Sequence, residues 1–179
     1  MILSKEKIVR YIIILITFIS AVSCMSNTPR PDLRVRIRLD RQFDSLYRED
    51  KNNFTKIRTY DIRIFLINQN NRPISYWIMS CDWQRNFETN NSTYSFMLEE
   101  CNKNSPVVRT LNAGDSISYS ATVVNRNGYA YQNKDTFDLR LGFIFVDRQK
   151  CKSPDSYLHI MKDRSMQNEI QWSNSLRVF

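Results

Sequence analysis

A chain of 179 residues with 42% hydrophobic and 25% charged residues has enough apolar material for one packed core and is too apolar for intrinsic disorder. Three glycines are too few for a phosphate-cradling loop or a dinucleotide fingerprint, each of which needs several. The net charge of +8 suits anionic surfaces, lipid headgroups or acidic partners without specifying a fold.

The chain opens on a short, mostly basic stretch, MILSKEKIVR, followed by thirteen largely apolar residues, YIIILITFISAVS. A membrane-spanning helix needs about 20 apolar residues, so this run fits the core of a signal peptide instead. Ala21-Val22-Ser23 supply small residues before Cys24. The segment resembles the lipobox of bacterial lipoproteins, in which such a cysteine is acylated and the chain is cut before it. The resemblance implies a lipoprotein signal peptide over 1–23 and lipid, including palmitate, on Cys24. It also implies a chain held on a membrane by that lipid. The leader contributes a net +2 (Lys5, Lys7 and Arg10 against Glu6), so the part from Cys24 onward carries +6. Residues 24–32 form a tether stiffened by Pro29 and Pro31, long enough to hold a domain ~25 Å from the bilayer.

Residues 33–179 read as a β domain. LRVRIRL (33–39) alternates basic and apolar residues with period two, and so does part of TYDIRIFLI (59–67). Short β-rich runs follow at 74–79, 93–98 and 107–111, then SISYSATVV at 116–124, FDLRLGFIFV at 137–146 and a closing SLRVF at 175–179. Turn chemistry separates them at 68–73, 112–115 and 125–128. Residues 41–50 and 155–163 are each expected to make a turn or two of helix. Seven or eight strands at this spacing predict an all-β, immunoglobulin-like antiparallel sandwich, with a small barrel as the alternative.

The stretch IRIFLINQNNRPISYWIMSCDWQRNF, the cysteine-bearing loop after it and LNAGDSISYSATV are similar to small uncharacterised lipoproteins of Bacteroidetes-type bacteria. The features that carry this are Asn68, Pro73-Ile74, Trp77, Cys81-x-Trp83 and the Gly114 turn. The resemblance implies a sandwich domain and no known activity. By resemblance to such lipoproteins, the absence of an acidic cluster after Cys24 implies a chain facing the periplasm, and Met25 in place of an Asp implies the outer membrane.

With Cys24 assigned to lipid, Cys81, Cys101 and Cys151 remain, and an oxidising compartment favours one bridge. Cys81–Cys101 is the expected pair, since each adjoins a strand-like run and the loop between them is short. Cys151 is then either an unpaired thiol made reactive by Lys150 and Lys152, an incidental cysteine, or the true partner of one of the other two. No Cys-x-x-Cys pair and a single histidine, His159, argue against a metal site. Nothing groups His159 with a nucleophile and an acid, and adjacent Glu99 and Glu100 on a strand would face opposite ways. No catalytic residue is assigned, and the chain is not expected to be an enzyme or to carry a cofactor.

Two constellations remain as binding candidates. Arg34, Arg36 and Arg38 are two residues apart, so a strand places all three on one face, with Val35, Ile37 and Leu39 toward the core. Arg30 and Arg41 extend the charge. This row begins ten residues after Cys24 and could meet anionic headgroups, or it is simply a solvated face that discourages aggregation. The aromatic residues Tyr76, Trp77, Trp83 and Phe87 are either core or a contact platform for a protein partner, through Trp77 and Trp83. Nucleic acid is not expected in this compartment. The best reading is a lipid-anchored, non-catalytic binding or scaffold module. The alternative is an inhibitor or immunity-type protein that plugs a hydrolase with loops 82–92 or 99–106.

Overall fold

The computed structural model describes residues 32–48, 54–98, 101–125, 137–163 and 170–178; the leader, Cys24 and most of the tether lie outside them. Residues 32–179 form one compact unit. Most of its described residues lie in antiparallel strands, as the alternation predicts. The largest sheet has the order β1-β2-β7-β5, made of Leu33–Arg48, Phe54–Asn68, Ser116–Asn125 and Tyr94–Phe96. Three shorter ladders complete the β structure. They pair β10 (Ile170–Trp172) with β9 (Leu141–Ile144) and β4 (Phe87–Thr89), β11 (Leu176–Val178) with β8 (Phe137–Leu139), and β3 (Ile74–Met79) with β6 (Pro106–Leu111). The expectation of an all-β antiparallel sandwich therefore holds, while none of these strand orders singles out the immunoglobulin-like arrangement.

Alternation decides which side of the main sheet is core. Leu33, Val35 and Ile37 of β1, Ile62, Ile64 and Leu66 of β2, and Ala121 and Val123 of β7 are buried on one face. At β3 the alternation splits two cores. Ile74, Tyr76 and Ile78 join the main cluster, while Trp77 and Met79 point into a second cluster with Ile144, Val146, Cys151 and Tyr157. A strand with hydrophobic residues on both faces is what this double burial requires. The second cluster is roofed by α1 (Pro154–Lys162), which fills the region expected to be helical at 155–163. Ser153 caps it by accepting from the Ser156 N–H, Pro154 sits at its start, and His159 and Lys162 fall in its last turn, where cations suit the helix dipole.

The second helical expectation, 41–50, is corrected. Residues 41–48 continue β1, because β2 extends from Phe54 and supplies a partner for each of them, from Arg41 opposite Asp61 to Arg48 opposite Phe54. Cross-strand pairing outweighs a weak local helical preference. A bulge between Leu39 and Arg41 leaves Asp40 without an opposite residue and shifts the pleat by one. Odd-numbered residues face the core before it, and just after it Arg41 stands opposite Asp61 on the outward face. The run 137–146 is broken at Arg140, whose backbone N–H and C=O are both taken by Asn90. Strands β4 and β10 were not anticipated; three residues are too few to show a period.

Tight joints hold the ends. Asn68, fully buried, donates through Nδ2 to the carbonyls of Arg72, Leu111 and Asn112, and its Oδ1 accepts from the Asn70 backbone. This one amide ties the 68–73 turn to the 112–115 turn, where Gly114 adopts a φ of 75° that a side chain would disfavour. Cys81 and Cys101 are bonded, as expected, across 20 residues of sequence.

Candidate functional site

The outward face of the main sheet carries the arginine row. Arg34, Arg36 and Arg38 are all exposed. They stand beside Ile67, Phe65 and Arg63 on β2, and the next row on β7 is Ser116, Ser118 and Ser120. The β2 residues are half-buried between their taller neighbours, and the serines are exposed. The result is a surface with guanidinium groups along one margin, Ile67 and Phe65 followed by Arg63 in the middle and hydroxyls along the other.

The arginines on this face divide into two kinds. Arg38 and Arg63 converge on Asp40, at 2.8 Å and 3.0 Å. Arg41 reaches the same face because of the bulge, binds Asp61 through Nε and Nη2 at 3.0 Å and 2.8 Å, and lies 4.4 Å from the centre of the Phe43 ring. Thr122 donates to the other Asp61 oxygen. Arg34 and Arg36 have no ion-pair or hydrogen-bond partner among the described residues, so their full donor capacity faces solvent. Of the three arginines predicted as a unit, two are available and the third is anchored.

The aromatic candidates are core in whole or in part. Tyr76 and Trp77 point opposite ways, yet both are buried, because β3 is covered on both sides. The indole N–H of Trp77 donates to the Cys151 carbonyl at 2.6 Å, and its ring stacks on Tyr157. The contact role expected of Trp77 is thus corrected: its ring has no surface to offer. Trp83 is half-buried and packs against Tyr119, Phe87 and Phe96 with ring centres 4.6 to 6.5 Å apart.

Of the three alternatives for Cys151, the structure matches the incidental cysteine rather than a paired or reactive one. It is unpaired but only 1% exposed, its Sγ donates to the Ser153 carbonyl at 3.5 Å, and burial pushes the thiol pKa up. Lys150 and Lys152 flank it in sequence, but desolvation opposes the thiolate more strongly than nearby cations favour it. The flanking lysines mark the loop as polar, while Tyr157 and Trp77, from other elements, close over the thiol. His159 is exposed on α1. Glu99 and Glu100 lie outside the described residues. No group of three His, Cys, Asp or Glu side chains that could hold a metal occurs among the described residues, and no described helix is long and apolar enough to cross a membrane. Residues 82–92, expected as a plugging loop, are folded into the body as a 3-10 helix (Trp83–Asn86) and β4, with Asn86 and Phe87 buried.

A concave region lies elsewhere on the domain. A groove of about 860 Å³ lies between β4, β5 and α1, lined by Phe87, Tyr94, Phe96, Leu98, Leu158 and Met161 among others. Leu98 and Leu158 are 52% and 45% exposed. Gln84 also lines it; this residue is 9% exposed, and its buried Oε1 has no hydrogen-bond partner among the described residues. The run TYSFML had shown the strand, but the groove depends on where β4 and α1 pack, which no local pattern encodes. No protein-family model, no curated protein and no solved structure matches the chain.

Proposed function

We propose that this chain is a lipid-anchored, non-catalytic binding module of the cell envelope, tethered through Cys24, with its outer sheet face turned to an anionic surface. The leader motif supports the anchor. The observation that carries the binding role is the pair Arg34 and Arg36, exposed on an open sheet face with no partner among the described residues. Unpaired arginines are strong donors for phosphate and carboxylate oxygens. The buried, pKa-raised thiol of Cys151 and the exposed, isolated His159 offer no nucleophile–base pair, which favours binding over catalysis. An outer membrane location facing the periplasm is the address this reading adopts.

The mature chain from residue 24 should bind vesicles containing phosphatidylglycerol and release them at high salt. Charge near an anionic membrane is worth about 1 kcal/mol per arginine, so R34A/R36A should weaken binding about thirtyfold. Binding equal to that of the unsubstituted chain would remove the arginine role. Separately, palmitate labelling in cells that disappears in Cys24→Ala checks the anchor.

A further inference from the structure

The groove sits at the opposite edge of the main sheet from the arginine row, and its hydrogen-bonding groups have an unusual feature in common. Strand β5 pairs with β7 on one side only. The hydrogen bond from the Met97 N–H to the Thr122 carbonyl, 2.8 Å, sets the phase of that pairing. In an antiparallel ladder the bonds alternate, so Ser95 and Met97 address β7 while Tyr94, Phe96 and Leu98 address the other side. The other side is the groove, because Thr89 of β4 reaches across it to donate through Oγ1 to the Tyr94 carbonyl, 3.1 Å. The Tyr94 N–H is also used, on the Asn91 carbonyl. Beyond that closure β4 and β5 part into separate sheets, and Phe96 is left with its N–H and C=O directed into the gap, with no partner among the described residues.

Two observations therefore meet at one place: an unpaired strand edge at Phe96, and apolar walls whose rim residues Leu98 and Leu158 are about half exposed. A fatty chain would satisfy the walls and leave the polar groups orphaned. A polar small molecule would do the reverse. An extended polypeptide supplies backbone donors and acceptors at strand spacing together with apolar side chains on alternate positions. The charges at the groove select further. Lys162 and Arg85, the latter with its Nε held by Asp82 at 3.1 Å, are exposed on its lining, and the carboxylate there, Glu88, is already engaged within the domain. We infer that the groove receives an extended segment of a protein partner, added as a strand on the β5 edge, apolar at alternate positions and acidic at the end that meets Arg85 and Lys162.

The test uses the full chain held in nanodiscs. A library of random dodecapeptides is selected against it, with empty nanodiscs as the counter-selection, and enriched peptides are then synthesised. The expected winners alternate apolar residues and carry Asp or Glu at one end. Their binding should slow hydrogen exchange at the Phe96 and Leu98 amides while leaving Met97, already bonded to Thr122, unchanged. Leu98→Pro removes one groove-facing N–H at an exposed edge position that tolerates proline. Leu158→Glu places charge on the apolar rim. Each should weaken the peptide at least tenfold with the melting temperature retained, and R34A/R36A should leave it unaltered, so this result is independent of the vesicle experiment. No enrichment over empty nanodiscs, peptides that bind Leu98→Pro and Leu158→Glu as well as the original, or protection that misses Phe96 would each overturn the inference. So would displacement of the winners by dodecanoate with the same dependence on Leu158 and none on Leu98, which would make the groove a lipid site.

Discussion

The two edges of the four-stranded sheet are treated in opposite ways. At the β1 edge, Asn174 folds its side-chain amide against the strand: Oδ1 accepts from the Ile37 N–H at 2.8 Å, and Nδ2 donates to the Ile37 carbonyl at 3.2 Å. One side chain imitates the pairing that a neighbouring strand would provide. At the β5 edge no side chain does this for Phe96, and the chain leaving the strand is secured covalently instead, by Cys101 bonded to Cys81. Exposed strand edges invite pairing with other chains, and proteins generally blunt them. An edge that is left open beside a groove, in a molecule that closes its other edge with care, is the one to associate with a partner.

Three changes sharpen or break this contrast. The largest effect is expected from the covalent tie. Replacing both Cys81 and Cys101 by alanine should cost about 3 kcal/mol by the chain-entropy argument for a loop of this length, read as a lower urea midpoint. A loss near zero would show that packing at the open edge suffices without the bridge. Next is Asn68→Ala, at the joint where β2 ends. It strands three carbonyls that now share one amide donor, and about 2 kcal/mol of stability should be lost. The smallest is Asn174→Ala. It should cost about 1 kcal/mol, speed hydrogen exchange at the Ile37 amide, and raise concentration-dependent self-association through the newly opened β1 edge. If Asn174→Ala leaves the Ile37 amide as slow as before, the β1 edge is closed by something other than that amide, and the contrast fails.

Much of this was visible in the residues. Period-two alternation locates β7 and the core-facing parts of β1 and β2, and β-rich composition locates β3 and β6, but the far half of β1 reads locally as helix and the first residues of β2 are missed. The arginine row followed from the same alternation, and the Cys81–Cys101 bond from short spacing. What stayed hidden depends on distant packing. The polar residues around Cys151 conceal a thiol that Tyr157 and Trp77 cover from elsewhere in the chain. The serines of β7 were seen to alternate, but not that they border the arginines across β2. Asn174 lies 137 residues from the Ile37 backbone it closes, beyond the reach of any local pattern. Strands of three residues, β4 above all, carry too little periodicity to be found, and β4 forms one wall of the groove.

The bulge at Asp40 sets a rule for how this hairpin can vary. By absorbing one residue, it resets the pleat so that Arg41 emerges on the same side as Arg34, Arg36 and Arg38, where an unbroken ladder would have driven a guanidinium into the hydrocarbon interior. It works as a phase corrector between two halves of a long ribbon. Related chains should therefore gain or lose residues between 33 and 39 in pairs, while single insertions should be tolerated only where position 40 already breaks step.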